Sequence, residues 1–374
     1  MRLLFIHRYR SLAMHRKAVL LAEQHGFIVR TIFPRVWRDE YGSVEQHTDW
    51  ARGIDGLEAA PTAFLGRTSD PHRATYRTLD FGMRRFRPDV ILAEEEPDSI
   101  AALHVAAARA VFAPQARLAL YTWQNQARPL GRMVRLVQAA ALRAADAVLC
   151  ANSEAVSLLR RFGFAGPCPV IPANGVDVGL FHPLGPLTTQ AHFGYVGRMA
   201  VEKGLEDAIA AVESLADLGA TLTLIGDGPH RAALQQFVAQ RGAQARVRFV
   251  DPLRGEALVA ALATLRALVL PSQTTRTWKE QFGRVLTEAM ACGVPVIGSD
   301  SGAIPEVIDD AGLTFPEGDV DALAARMRRI ACDDALAAQL RDRGLQRVHE
   351  HYTQERIAAA TAAALLCVHQ ERRS

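Results

Sequence analysis

Lysine is nearly missing from this chain: of 43 basic residues only Lys17, Lys203 and Lys279 are lysines. Each of the three is a compact point charge among cations that are otherwise guanidinium forks. Cysteine is scarce and unpatterned. Cys150, Cys168, Cys292, Cys332 and Cys367 form no CxxC pair and have no histidine at ligand spacing, which argues against disulfides and a structural zinc site and fits a reducing cytoplasm. Long apolar runs are missing too. Arg or His interrupts each alanine-rich segment, so an integral membrane protein is not expected. The apolar part of "MRLLFIHRYR" is too short for a signal sequence and reads as a core strand. There are no tandem repeats, and the basic residues lack interleaved aromatics, so no nucleic acid partner is expected.

What is present suits a globular α/β protein. The 374 residues exceed one ordinary domain, and 49% apolar with 22% charged content supports real cores. Charge is unevenly spread: residues 1–180 hold 23 basic against 17 acidic side chains, the remainder 20 against 23. An anionic partner for the first half, or chance in an arginine-rich chain, accounts for this equally well. "RLLFIH", "FIVRTIF", "DVILAE", "ARLALYTW" and "AVLCAN" read as buried strands, followed by a second series, "AHFGYVGR", "ATLTLIGDG", "RVRFVD", "ALVLPS" and "PVIGSD". Helical segments intervene. "LEDAIAAVESLADLG" places Leu205, Ala208, Ile209 and Val212 on one face. The alternation predicts two Rossmann-like, doubly wound parallel-sheet domains with an interdomain cleft, joined through the hinge-like "NGVDVGLFHPLGPLTTQ". The expected boundaries are 1–182, 183–350 and a C-terminal helix in 351–374 that crosses back to the first domain. Ligands should sit beyond the carboxyl ends of the strands.

Two stretches there suggest chemistry. After "AHFGYVG", Gly197 allows a tight exit, and Arg198 and Lys203 flank a loop that Gly204 closes onto a helix. Such cations at a strand-to-helix turn suit a diphosphate; a solvated loop is the plainer alternative. In "WKEQFGRVLTEAMACGVPVIG" a helix is expected from near Gly283 to Cys292, with Val285, Ala289 and Cys292 toward the core and Gly293 and Pro295 ending it. The amides of Gly283, Arg284 and Val285 then form an anion cradle. Glu280 and Glu288 flank it as acceptors for two sets of hydroxyls, the layout of a nucleotide sugar. An ordinary surface helix with a glutamate near its start remains the alternative.

These residues resemble the retaining glycosyltransferases of family 4, also called group 1, which have the GT-B fold. The likeness rests on "GYVGRMAVEKGLEDAI", "LIGDGPHRAAL", "LVLPS", "EQFGRVLTEAMACGVPVIGSDSGAIPEVI" and "PANGVDVGLFHP", and is strongest from Asn174 onward. It implies that Glu280 binds donor-sugar hydroxyls, Glu288 the ribose, and the backbone around Phe282 to Val285 the sugar and diphosphate, with Gly197 at the turn. It also implies that Arg198 and Lys203 stabilise the leaving diphosphate. The implied activity is metal-independent, cytoplasmic transfer of a hexose from a nucleoside-diphosphate sugar to a hydroxyl acceptor: a glycan, a glycolipid or a small molecule. Same-face attack is implied, with the departing phosphate taking the acceptor's proton. No cofactor is implied beyond the donor, which is a co-substrate.

The first half departs from the family pattern. Its first strand-to-helix turn, "HRYRSLAMHRKA", begins at His7 and has no glycine, and "YTWQN" puts Gln124 and Asn125 where many relatives carry a cleft histidine. Glutamine carries no proton, so hydrogen bonding is the role open to it. "AEEEPDS" places Glu95 and Glu96 past a strand end, either orienting an acceptor or forming a solvated acidic turn. Asn174, at the junction, and Trp278 and Lys279, in the long loop "QTTRTWK", complete the acceptor and cleft candidates. "RPLGRMVRLVQAAALRAADAV" reads as a helix with Arg128, Arg132 and Arg135 on one face, either exposed or lying on an anionic inner membrane surface. The triplet Asp319–Asp321 looks like a metal motif but reads better as a helix start. Alternatives to transfer are a phosphorylase or epimerase of the same fold, or a non-catalytic nucleotide-sugar-binding subunit.

Overall fold

The structure is a computed structural model that describes residues 1–9, 12–39, 42–70 and 72–370. The chain divides into two compact units, Met1–Gly175 with Gln354–Ser374, and Val176–Thr353.

The first unit holds a parallel sheet of β1 (Arg2–Ile6), β2 (Ile28–Pro34), β3 (Leu57–Thr62), β4 (Val90–Ala93), β5 (Arg117–Thr122) and β6 (Ala147–Cys150), in the order β6-β5-β4-β1-β2-β3. Leu3, Leu4, Phe5 and Ile6 are all buried, as a strand covered on both faces requires. Alternate residues serve opposite layers. Leu4, Ile6, Ile91, Leu118 and Leu120 pack with Val105 of α2 (Ile100–Phe112) and Ala141 of α3 (Arg132–Ala144). Leu3, Phe5, Leu92, Ala119 and Tyr121 pack with Leu21 of α1 (Leu12–Glu23) and with Ile357 and Leu365 of the last helix. Ser99 caps α2 by accepting from the Ala102 amide at 3.0 Å. Two short antiparallel hairpins, Val36–Asp39 with Gly42–Glu45 and Phe64–Leu65 with Thr75–Tyr76, lie outside the sheet.

The second unit repeats the plan. Its strands β7 (His192–Val196), β8 (Thr221–Ile225), β9 (Val247–Val250), β10 (Ala267–Leu270), β11 (Val296–Ser299) and β12 (Gly312–Phe315) run in the order β9-β8-β7-β10-β11-β12, all pairs parallel. Both sheets thus have the doubly wound Rossmann order, which reverses direction between the first and fourth strands. Leu205, Ala208, Ile209 and Val212 of α4 (Leu205–Glu213) are fully buried, as their spacing predicts.

Three expectations need adjusting. The first hand-over falls at Gly175–Val176, not at 182–183, because Val176 and Phe181 join the second unit's core and the Val176 amide donates to Tyr352 O at 2.7 Å. The return falls after Thr353, not 350, since Tyr352 is buried in that same core. The last helix, α7 (Gln354–Gln370), then groups with the first unit. Finally, α3 begins only at Arg132, behind Gly131 in an extended conformation. Arg128 therefore lies off the helix, where it pairs with Asp98 at 3.2 Å.

Candidate functional site

In the second unit the reversal lies between β7 and β10, and the loops following these strands carry the sequence-identified residues. β7 ends at Val196. Behind it Gly197, Arg198 and a short helical turn, Val201–Lys203, lead through Gly204 into α4. Gly204 has φ +59°, and a Cβ there would stand 2.2 Å from Pro271 O, so only glycine lets this turn close against the end of β10. The loop after β8 presses equally closely: a Cβ on Gly226 would come 1.9 Å from Gly197 O. The Met199 amide donates to Asp227 O at 2.8 Å, and the Tyr195 hydroxyl to Arg198 O at 2.7 Å, which fixes the path of the turn.

That path brings Lys203 to Glu280. Nζ donates to Glu280 Oε2 at 2.6 Å, and the same oxygen accepts from Ser272 Oγ at 2.9 Å. Glu280 is buried, Lys203 largely so, and the ammonium nitrogen stands 4.4 Å from the centroid of the Trp278 ring. Lys279 is half-buried beside it in sequence. Arg198 is exposed on the same turn, with its guanidinium outside this pair. A cation held at the carboxyl end of a doubly wound sheet is equipped to bind a phosphorylated ligand.

Glu288 is placed differently. It lies on α5 (Arg284–Ala291), one turn from Arg284, whose Nε is 3.0 Å from Oε1. Burial raises the Glu288 carboxyl above its ordinary range, and Arg284 opposes that rise. Gly283 precedes α5 with φ +74°, and the Leu286 amide is bonded to Gly283 O at 2.8 Å. The amides of Arg284 and Val285, ahead of Leu286, have no acceptor a full turn before them within the helix, as at any helix start. The core-facing side is centred on Leu286, Ala289 and Met290; Val285, expected there, is only half-buried. Phe282 is half-buried and meets Tyr352 edge-on at 5.6 Å. Ser272 and Tyr195 were not singled out by sequence reasoning. The serine closing "LVLPS" at a strand's carboxyl end was the available signal.

In the first unit most candidates are buried and bonded. His7 is fully buried, 2.8 Å from Thr31 Oγ1, and burial lowers its imidazole well below the usual range. The run Glu94–Glu96 is no solvated turn. Glu94 Oε1 is 2.5 Å from Lys17 Nζ; burial pushes the carboxyl up and the amine down to about 7. Both shifts favour the neutral forms, and Nζ donates the hydrogen bond across this contact. Glu95 takes a bidentate pair from Arg8, at 2.7 and 2.6 Å, and a bond from Tyr76 Oη at 2.9 Å. Glu96 accepts from Thr122 Oγ1 at 2.7 Å and the Trp123 amide at 2.8 Å, yet burial still carries it up to about 7. Gln124 is buried and donates to Gln126 O at 3.0 Å; Asn125 is buried, and Asn174 is half-buried.

Asp319 caps α6 (Val320–Cys332), its side chain accepting from the Ala322 amide at 2.8 Å. Among the described residues no group of three or more His, Cys, Asp or Glu is placed to hold a metal ion. Among the same residues no helix is long and apolar enough to cross a membrane.

Comparison with known proteins meets this geometry. The model described as glycosyl transferases group 1 matches residues 181–347, and that described as Glycosyltransferase Family 4 matches residues 22–180. Glycogen synthase of Mycobacterium tuberculosis is 34% identical over 245 residues, 63% of this chain and 58% of that enzyme, so the chain matches little more than half of that relative's length. Sucrose-phosphate synthase from Thermosynechococcus elongatus superposes with a TM-score of 0.73 at 22% identity, covering 100% of both chains. Anabaena HepE in complex with UDP superposes with a TM-score of 0.74 at 17% identity, over 98% of this chain and 100% of its own. At those identities the two structures speak for the fold alone, which is GT-B. With both halves matched, one by each model, the chain belongs to the glycosyltransferases of family 4, also called group 1.

Proposed function

We propose that the protein is a retaining, metal-independent transferase that moves a hexose from a nucleoside-diphosphate sugar to a hydroxyl of a glycan, glycolipid or small molecule. The Lys203–Glu280 pair carries this reading: a buried acid and its cation at the reversal point of the second sheet, framed by the Gly197 turn and the start of α5. In the proposed reaction the bond from the anomeric carbon to the diphosphate oxygen breaks as the acceptor oxygen bonds the same face. The acceptor's proton passes to the departing phosphate. Lys203 and Arg198 offset the charge gathering on that phosphate, roughly 2.7–4 kcal/mol for each well-aimed donor. Glu280 holds sugar hydroxyls and Glu288 the ribose, while the first unit receives the acceptor. HepE, of like fold, was solved with UDP, which supports a nucleotide donor.

The test is nucleotide release from UDP-, GDP- and ADP-sugars, with and without acceptors, after a thermal-shift panel has picked the donor by the stability that a bound ligand adds. Lys203→Met and Glu280→Ala should each abolish release while the protein stays folded. Normal turnover in either variant refutes the assigned roles, and release that needs inorganic phosphate in place of a hydroxyl acceptor would indicate a phosphorylase.

A peripheral contact with an anionic cytoplasmic membrane surface is part of the proposal. Met133 and Leu136 on α3 are 72% and 64% exposed, each next in sequence to an exposed arginine, Arg132 and Arg135, and α3 has no acidic residue. Apolar side chains flanked by cations suit a charged lipid interface.

A further inference from the structure

The loop Gln273–Lys279, between Ser272 and Glu280, is a built turn. The Thr275 amide donates to Trp278 O at 2.8 Å, and the Trp278 amide returns a bond to Thr275 Oγ1 at 3.0 Å. Its base is anchored to the segment that bears Lys203. The Gln273 amide donates to Glu202 O at 2.8 Å, and the Gln273 side chain to Asp207 Oδ2 at 2.6 Å. Thr274 Oγ1 and Ser301 Oγ, 3.0 Å apart, tie the other side. This scaffold presents the Trp278 ring to the Lys203 ammonium, the 4.4 Å contact described above.

We infer that Trp278 is a positioning residue for Lys203, holding its ammonium in place while the ionic partner changes from Glu280 to the diphosphate of the donor. The inference rests on the donor-site reading proposed above. Lysine ends a flexible four-carbon stem, and its head is strongly hydrated. Once a diphosphate competes with Glu280, an unsupported ammonium is free to turn toward water. An indole face attracts the cation whichever anion it bonds, and tryptophan does so best among the aromatics. Only Trp278 of the four tryptophans lies in the second unit; Trp37, Trp50 and Trp123 belong to the first. Its emission therefore reports on this site.

The experiment is a double-mutant cycle read by calorimetry and tryptophan emission, with UDP, GDP and ADP as probes. Trp278→Leu keeps apolar bulk but removes the π face, and should weaken the bound diphosphate about tenfold. Trp278→Phe should recover most of that loss. Diphosphate binding should change the emission of the wild type, and Trp278→Phe should abolish the change. In a Lys203→Met background, Trp278→Leu should have no further effect. Lys203→Ala serves equally should the methionine variant fold poorly. An equal effect of Trp278→Leu in both backgrounds, or unaltered affinity in Trp278→Leu while Lys203→Met loses it, overturns the positioning role alone. Wild-type protein that binds none of the three diphosphates, or Lys203→Met that binds normally, overturns the donor-site reading and this inference with it.

Discussion

Replacing Glu280 by glutamine separates two duties that the wild-type carboxylate combines. The amide keeps the shape and still accepts from Ser272 Oγ, whose bond to Oε2 is 2.9 Å, but the anion 2.6 Å from Lys203 Nζ is gone. A hydrogen bond between charged groups contributes about 1.5–3 kcal/mol, and the lower end applies because Lys203 retains some access to solvent. A loss of about 1.5 kcal/mol in a unit of this size lowers Tm by roughly 3–6 °C. Diphosphate binding should move the other way. In the wild type the incoming phosphate competes with Glu280 for Lys203; in Glu280→Gln it does not, and a gain of about 1.4 kcal/mol tightens Kd about tenfold. Transfer should nonetheless collapse, because the sugar loses its charged acceptor. Scanning calorimetry gives the first quantity, titration with UDP, GDP and ADP the second, and nucleotide release the third. If Glu280→Gln weakens the diphosphate as much as Lys203→Met does, then the acid and the cation bind the ligand jointly, and the exchange argument is wrong.

Glu96 supplies a pH prediction. Burial raises it from 4.5 to about 7, so the folded state binds this proton more tightly than the unfolded chain. Its contribution to stability is present below pH ~4.5 and is lost as pH rises to about 7, about 3 kcal/mol in all. Urea midpoints at pH 5 and pH 8 should therefore show Glu96→Gln gaining on the wild type at the higher pH; a constant offset contradicts the assignment. Gly226→Ala drives a Cβ against Gly197 O, 1.9 Å away, and should cost about 3 kcal/mol in a denaturant melt and weaken diphosphate binding. Full retention of both would mean that the turn yields freely. Wild-type protein should sediment with phosphatidylglycerol vesicles but not phosphatidylcholine vesicles, and the pair Met133→Asp with Leu136→Asp should stay in the supernatant. Absence of wild-type sedimentation removes the membrane contact.

Sequence reading found the strands built on unbroken apolar runs, such as Leu3 to Ile6 of β1, β4 and β10, because a strand covered on both faces needs no alternation to be recognised. It passed over β3, "LEAAPT", an edge strand of small side chains with Pro61, and the four-residue β12 at the opposite edge of the second sheet. Helix limits were less legible. Pro129 and Gly131 are the punctuation that keeps Arg128 out of α3, and a reading by arginine spacing alone runs through both. At the site, Lys203 and Glu280 were legible because glycine and strand ends mark their loops. Their direct bond was not, since 77 residues separate them and only the sheet order brings β7 beside β10. The burial of Glu94 to Glu96 was equally hidden: their partners Lys17, Arg8 and Thr122 come from a helix, a turn and another strand, and adjacent acids look exposed in any one-dimensional reading.

The grouping of α7 with the first unit has a consequence for how the chain matures. Ile357, Leu365 and Val368 are buried among residues of β1, β4 and β5, so the half that leaves the ribosome earliest lacks part of its interior until Gln354–Gln370 emerges. The intervening unit has no such debt: its ends meet where Val176 bridges Thr353, and every strand of its sheet is already in hand. This arrangement lets the middle of the polypeptide consolidate before its beginning, against the order of synthesis.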